Sequence, residues 1–148
     1  MITYVTAFLK GRRMKRSIDE YKQEFDKLVA TGIKLVLFLD STIDHWTFPE
    51  NVKVYPTSLE DTWAYEHVPN YVNLPHPHGI HDTLEYLQIQ NSKVEWLYNA
   101  TVHNPWNTEW FAWIDFGITH VFKKPEETLE RLKQLQPPPI PCLRTAGI

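Results

Sequence analysis

The sequence predicts an α/β fold with a mostly parallel sheet flanked by helices, because a strand, a helix and a second strand follow one another at its start. Residues 2–9 are apolar and rich in β-branched and aromatic side chains, as in a buried strand. Ser17 and Glu20 form a capping box that predicts the start of a helix, and apolar residues then recur at helical spacing from Ile18 to Val29. Gly32 lies where the C-terminal cap of this helix is expected. Residues 34–40 form a second apolar strand. Such a unit predicts two parallel strands joined by a right-handed crossover.

Two further strands are predicted later in the chain. Residues 52–55 alternate in polarity between Pro49 and Pro56, as expected for a short strand. Residues 110–115, Trp-Phe-Ala-Trp-Ile-Asp, carry the strongest strand signal in the sequence and end on an acid.

Four more helices are predicted from their capping residues and apolar spacing. A brief helix begins at Ser58, a second includes Leu84 and Leu87, and Ser92 starts a separate third one. Pro125 suits the first position of the last helix, because its missing N–H has no partner there in any helix.

Composition favours one globular domain at residues 1–136, followed by a proline-rich irregular tail at residues 137–148. The formal net charge is −3, from 15 Lys and Arg against 18 Asp and Glu, so we expect no nucleic-acid partner. A single cysteine, Cys142, excludes an internal disulfide. No apolar run approaches about 18 residues, so no transmembrane segment is expected. The start also lacks the pattern of a signal peptide, and we therefore expect a cytoplasmic protein.

Candidate ligand-binding residues lie at the carboxyl ends of the predicted strands, where open α/β sheets bind their ligands. Asp40 and Asp115 each end a strand, and the first strand ends in Thr6-Ala7-Phe8 beside a cationic loop at residues 10–16. Together these residues suit a nucleotide: the aromatic wall suits the base, the acids suit the ribose or a metal ion, and the cations suit the phosphates. The alternative is that the acids cap turns and that the loop is a solvated charged surface.

Three strings in the second half of the chain form a more specific pattern. They are Asn91-Ser92-Lys93-Val94-Glu95-Trp96-Leu97, Asn104-Pro105-Trp106-Asn107 and Phe111-Ala112-Trp113-Ile114-Asp115-Phe116-Gly117-Ile118, the last followed by His120. This pattern resembles the bacterial HtrL/YibB family, a set of glycosyltransferase-like proteins linked to surface polysaccharide. The opening Val5-Thr6-Ala7-Phe8, the region of Arg12 and Leu37-Phe38-Leu39-Asp40 fit the same pattern, so that the resemblance extends over residues 2 to 135.

The resemblance implies a glycosyltransferase-A-like (Rossmann-like) fold, in a shortened version, that binds a nucleotide-sugar donor and transfers its sugar to a surface-glycan acceptor. In that fold a D-x-D-like motif holds Mn²⁺ or Mg²⁺ against the diphosphate; Asp115 matches its first acid, and Gly117 stands in place of the second. The other donor-binding residues implied are Thr6, Ala7, Phe8 and Asp40 at the nucleoside, Arg12 or Arg13 at the phosphates, and Lys93 at the sugar or phosphates. For Lys93 the alternative is an exposed lysine in the first turn of a helix.

Proteins of this kind usually continue well beyond the D-x-D-like strand, into a part that binds the acceptor. We therefore expect that part to be missing here or to be supplied by a partner, and we allow for a homo-oligomer. An alternative function follows, in which a truncated relative binds a nucleotide or a partner without turnover.

A second alternative comes from the spacing H-x-H-x-x-H of His76, His78 and His81. Three imidazoles in a short loop suit a zinc site with one open position, as in a zinc-dependent hydrolase. The competing interpretation is a surface loop whose histidines make local hydrogen bonds.

Overall fold

The computed structural model describes residues 1–11, 14–68 and 83–139, and a four-stranded, all-parallel sheet lies at its centre. In chain order the elements are β1 (Ile2–Phe8), α1 (Ile18–Val29), β2 (Lys34–Asp40), β3 (Val52–Thr57), a 3₁₀ turn (Leu59–Asp61), α2 (Trp63–His67), α3 (Leu84–His103), β4 (Trp110–Trp113), a second 3₁₀ turn (Ile118–Val121) and α4 (Pro125–Gln134). The strand order is β3-β2-β1-β4. The predicted parallel sheet flanked by helices is confirmed. Among the helices of these three ranges, none combines the length and the apolar character needed to cross a bilayer.

Different helices cover the two faces of the sheet, because side chains alternate along each strand. On one face Tyr4 joins a buried cluster with Phe25 of α1. On the other face Val5 packs in a second cluster with Trp96 and Ala100 of α3. The central strands β1 and β2 are therefore buried on both sides, which explains why their sequences are mostly apolar on both faces.

The capping box predicted for α1 is confirmed. The hydroxyl of Ser17 accepts a hydrogen bond from the N–H of Glu20 (3.1 Å), and the N–H of Ser17 donates to the Glu20 carboxylate (2.7 Å). The helix ends at Val29, earlier than Gly32 suggested. Gly32 instead takes φ +79° in the turn before β2, a left-handed conformation that favours glycine.

The prediction of two helices between residues 84 and 98 is wrong, because α3 is continuous across both segments. Ser92, expected to cap a new helix, is fully buried, and its hydroxyl donates to the carbonyl oxygen of Gln88 (2.8 Å). Gln88, Ser92, Trp96 and Ala100 lie four residues apart and form the buried face of α3. Two of these four residues are polar, so apolar spacing alone does not show the buried face.

Three other boundaries differ from the predicted ones. β3 continues through Pro56, which an edge strand tolerates because the missing N–H can face away from the sheet. The brief helix expected from Ser58 is divided into a 3₁₀ turn and α2. β4 ends at Trp113, although the N–H of Ile114 still donates to the carbonyl oxygen of Val5 (2.9 Å). Asp115 therefore lies just outside the strand.

The Phe116 ring lies at the centre of the aromatic cluster that packs between the sheet and α1. It is 5% exposed, and its centroid lies 4.5 Å from that of Phe8 and 4.3 Å from that of Phe25, with the rings stacked in both pairs. The Trp46 ring lies parallel to it at 6.2 Å. Aromatic pairs at such separations add to the free energy gained by burial. The buried position of Phe116 thereby sets the positions of its neighbours Asp115 and Gly117 at the edge of the core.

We expect Phe116→Ala to lower the free energy of unfolding by about 3–5 kcal/mol, because it opens a cavity between three rings. Urea unfolding followed by circular dichroism measures this. Val94→Ala is the control: Val94 is 75% exposed on α3, and its truncation is expected to change stability by less than about 0.5 kcal/mol. Equal losses in the two variants would contradict a central role for the Phe116 stack.

Candidate functional site

A groove of about 450 Å³ opens at the carboxyl ends of β1 and β4, beside the first turns of α1 and α3. Four of the residues predicted from the sequence line it together: Ala7, Phe8, Asp115 and Gly117. Its other lining residues include Gly11, Lys15, Arg16, Tyr21, Tyr86, Gln90 and His120. Cations, aromatic rings and two carboxylates, those of Asp115 and Glu85, thus meet at one edge of the sheet.

The remaining predicted residues lie elsewhere. Thr6 is fully buried in the sheet. Asp40 ends the neighbouring strand and is not part of the groove lining, and Lys93 reaches Asp115 from α3. Arg12 and Arg13 lie outside the described residues.

Asp115 is held in place through one of its two carboxylate oxygens. Oδ1 accepts hydrogen bonds from the ammonium of Lys93 (2.8 Å) and from the indole N–H of Trp113 (2.8 Å). The Lys93 ammonium also lies 5.5 Å from the centroid of the Trp113 ring. Oδ2 accepts no hydrogen bond from any residue that the structure describes. The carboxylate is therefore oriented by the protein and keeps one oxygen for a ligand.

The environment of Asp115 lowers its pKa below the usual value. Burial by itself raises the pKa, since it disfavours the charged form, but the hydrogen bonds from Lys93 and Trp113 and the charge of Lys93 outweigh it. Asp115 is thus ionised at neutral pH, and the ion pair with Lys93 leaves the two side chains together without net charge.

Asp40 has a different role, because both of its oxygens bond to the chain itself. Oδ1 accepts from the hydroxyl (2.7 Å) and the N–H (2.9 Å) of Thr42, and Oδ2 accepts from the N–H of Lys10 (2.9 Å). Burial raises its pKa, whereas these hydrogen bonds lower it by more, so that the net shift is downward. Asp40 joins the end of β2 to the start of the cationic loop.

Gly117 lies against the ring of Tyr21. A Cβ atom at this position would lie 3.2 Å from Cδ1 of that ring, closer than an ordinary van der Waals contact. Its φ of −98° is open to any residue, so the close approach and not the backbone conformation is what favours glycine here. The carbonyl oxygen of Gly117 also bonds to Nδ1 of His120, which lines the groove.

Sequence reasoning predicts Phe8 in the groove but misses the other rings. Tyr21 lies on the buried stripe of α1, where its ring contacts Phe8 at 5.4 Å between centroids, and it also lines the groove. Tyr86 has no sequence signal of its own, and His120 stands out only as the residue that follows the string at 111–118. Lys15 and Arg16 belong to the cationic loop that the sequence places beside the end of the first strand.

Metal-ligating side chains do not cluster in the part of the chain that the structure describes, where no group of three or more His, Cys, Asp or Glu could hold an ion. His76, His78 and His81, the predicted zinc ligands, lie outside the described residues.

A model of the bacterial HtrL_YibB family, described as proteins of unknown function, matches residues 45–138. The chain belongs to this family. The predicted membership is thus confirmed. The matched segment of this chain contains α3, β4, Asp115 and Gly117. The matched segment begins after β1, α1 and the cationic loop. No curated protein and no solved structure matches the chain significantly.

We expect Lys93→Met to raise the pKa of Asp115, because the carboxylate loses a hydrogen bond and a nearby positive charge. A pH titration followed by NMR of the Asp115 carboxyl carbon measures the shift. Lys53→Met, at an exposed lysine of β3, is the control and should leave that pKa unchanged.

The same variant has a consequence for acid stability. Because the folded-state pKa of Asp115 is lowered, its stabilisation is present above the unfolded carboxyl pKa and is lost as the pH falls through the folded value. The stability difference between wild type and Lys93→Met should therefore shrink on acidification. A difference that stays constant would show that Lys93 acts through packing alone.

We expect Gly117→Ala to cost about 1 kcal/mol of stability, because the new methyl group presses on the Tyr21 ring. A double-mutant cycle with Tyr21→Ala measures the coupling, and the cost of the glycine substitution should disappear when the ring is absent. Additive effects in the cycle would show that the cost of Gly117→Ala does not come from the Tyr21 ring.

Proposed function

We propose that this chain is a glycosyltransferase-A-like domain that binds a nucleotide-sugar donor in the groove at the ends of β1 and β4. One observation carries the proposal: Asp115, with an oxygen left for a ligand, lines the same groove as Lys15 and Arg16 at the carboxyl edge of a parallel sheet. This edge is where open α/β sheets bind their ligands, and cationic side chains there suit a diphosphate.

In this proposal each part of the groove binds one part of the donor. Lys15 and Arg16 bind the phosphates, and the ring of Tyr21 offers a flat apolar surface to the base. Asp40 acts as a positioning residue, since its hydrogen bond to the N–H of Lys10 holds the start of the loop that carries both cations.

In this proposal Asp115 binds the cation, Mn²⁺ or Mg²⁺. Oδ2 is a hard oxygen ligand of the kind these ions prefer, while Gly117 supplies no second carboxylate and Lys93 already offsets the charge of Asp115. The phosphates of the donor would therefore have to complete the coordination shell, and the ion would neutralise charge on the departing diphosphate. We expect the ion to bind weakly alone and more tightly together with a nucleoside diphosphate.

Transfer itself would break the bond between the anomeric carbon and the diphosphate oxygen and form a bond from that carbon to a hydroxyl oxygen of a glycan acceptor, whose proton passes to the departing diphosphate. The groove residues would contribute by holding the donor and by stabilising negative charge on the leaving diphosphate. Lys15 and Arg16 are the groups that this charge would face.

Calorimetric titration of UDP, GDP and deoxythymidine diphosphate, each with and without Mn²⁺, tests the proposal on the whole chain. We expect one of them to bind, more tightly with Mn²⁺, and Asp115→Asn to remove the effect of the ion while Lys15→Met weakens binding in both conditions. Asp44→Asn is the matched control, because Asp44 is an exposed acid whose side chain does not line the groove.

Failure of all three diphosphates to bind would overturn the proposal. Binding that is insensitive to Asp115→Asn and to Lys15→Met would also contradict it, since the ligand would then lie outside this groove.

A further inference from the structure

A second cavity, of about 270 Å³, lies between β3 and the C-terminal half of α3. Its deep wall is aromatic, since Phe38 and Trp96 line it and are only 5% and 2% exposed. Tyr55 and His103 line it as a stacked pair, with centroids 4.2 Å apart and rings tilted by 14°. The cavity has room for a single six-membered ring of a ligand.

The charged residues lining this cavity are two acids. Asp61 and Glu95 line it, and among the described residues no lysine or arginine does. Oδ2 of Asp61 accepts from the hydroxyl of Ser58 (2.6 Å), and one Glu95 oxygen, Oε2, accepts from the N–H of Trp63 (2.9 Å). The second oxygen of each carboxylate accepts no hydrogen bond from the described ranges, so two negatively charged acceptors are left for a ligand.

Two further features favour a positive ligand. Asn99 and His103 belong to the last two turns of α3, where the helix dipole is negative. The Trp96 and Tyr55 rings line the same cavity as the acids; Tyr55 stacks on His103 and Trp96 on Trp113, so a cation there is attracted by the π surface that these stacks leave uncovered. The N-terminus of α2 carries a partial positive charge, which disfavours a positive ligand. Its first N–H, that of Trp63, already donates a hydrogen bond to Glu95.

We propose that this cavity binds a small organic ammonium with hydroxyl groups, of the size of an amino sugar. The carboxylates of Asp61 and Glu95 pair with the ammonium, the aromatic wall packs on the apolar side of the ring, and the Asn99 amide bonds to a hydroxyl. A neutral sugar of the same shape binds less tightly, because it does not offset the negative charges of the two carboxylates. The cavity is separate from the groove: Gln90 of the groove and Asn99 of the cavity lie about 14 Å apart along α3.

Three sugars that differ at one substituent test the proposal: glucosamine, glucose and N-acetylglucosamine, titrated near neutral pH into the whole chain. The readouts are the NMR signals of the Trp96 indole N–H and the Asn99 side-chain amide, which report on the cavity itself. We expect glucosamine to shift both signals and to bind at least roughly tenfold more tightly than the two neutral sugars. Equal binding of all three, or no binding of glucosamine, overturns the proposal.

Charge-removing variants show whether the acids carry the selectivity. Asp61→Asn and Glu95→Gln keep the shape, and each amide oxygen can still accept from Ser58 or Trp63, so both variants should fold. Each is expected to weaken glucosamine binding roughly tenfold and to leave glucose unaffected. Glu60→Gln, at the acid that precedes Asp61 and does not line the cavity, is the matched control. A loss of the same size in Glu60→Gln would show that only overall charge matters.

Discussion

The stack of Phe116 between Phe8 and Phe25 is the interaction on which the rest of the structure depends. Phe8 ends β1 and Phe25 lies on α1, so one buried ring joins the sheet, the first helix and the segment after β4. Burial of Phe116 in that core restricts the positions of the two residues next to it. Asp115 and Gly117 are therefore presented to the groove from a rigid base, which is what a binding site needs if it is to be formed before its ligand arrives.

α3 is the second element that the candidate sites share. Its first turns line the groove and its last turns line the aromatic cavity, while Lys93, between them, bonds to Asp115. The buried face of α3 contains Gln88 and Ser92, so part of its packing is polar: the Ser92 hydroxyl donates to the carbonyl oxygen of Gln88 within the helix, and the Gln88 side-chain amide donates to the carbonyl oxygen of Tyr65 in α2.

The two sites differ in their electrostatic character. Lys15 and Arg16 line the groove together with the acids Asp115 and Glu85, whereas the lining of the cavity, in the part of the chain that the structure describes, contains the acids Asp61 and Glu95 and neither lysine nor arginine. A protein whose net charge is only −3 can maintain such contrast because local fields in clefts depend on nearby charges more than on the total. Our two proposals follow from this contrast: an anionic diphosphate in the groove and an ammonium in the cavity.

The sequence alone determined the elements whose signals are local. The apolar runs of β1 and β2, the Ser17 capping box and Pro125 at the start of α4 all describe interactions within a few residues, and the parallel sheet followed from their order. Asp115 and Gly117 could be singled out because they lie in a distinctive string.

Tertiary structure decided what depends on distant partners. Asp115 is oriented by Lys93, 22 residues away, and Asp40 by the N–H of Lys10, 30 residues away, and no spacing rule links such pairs. Ser92 lies inside a helix and does not begin one, because the sheet buries the face on which it lies. Packing between elements far apart in sequence, which no local pattern records, thus determined which side chains reach the groove.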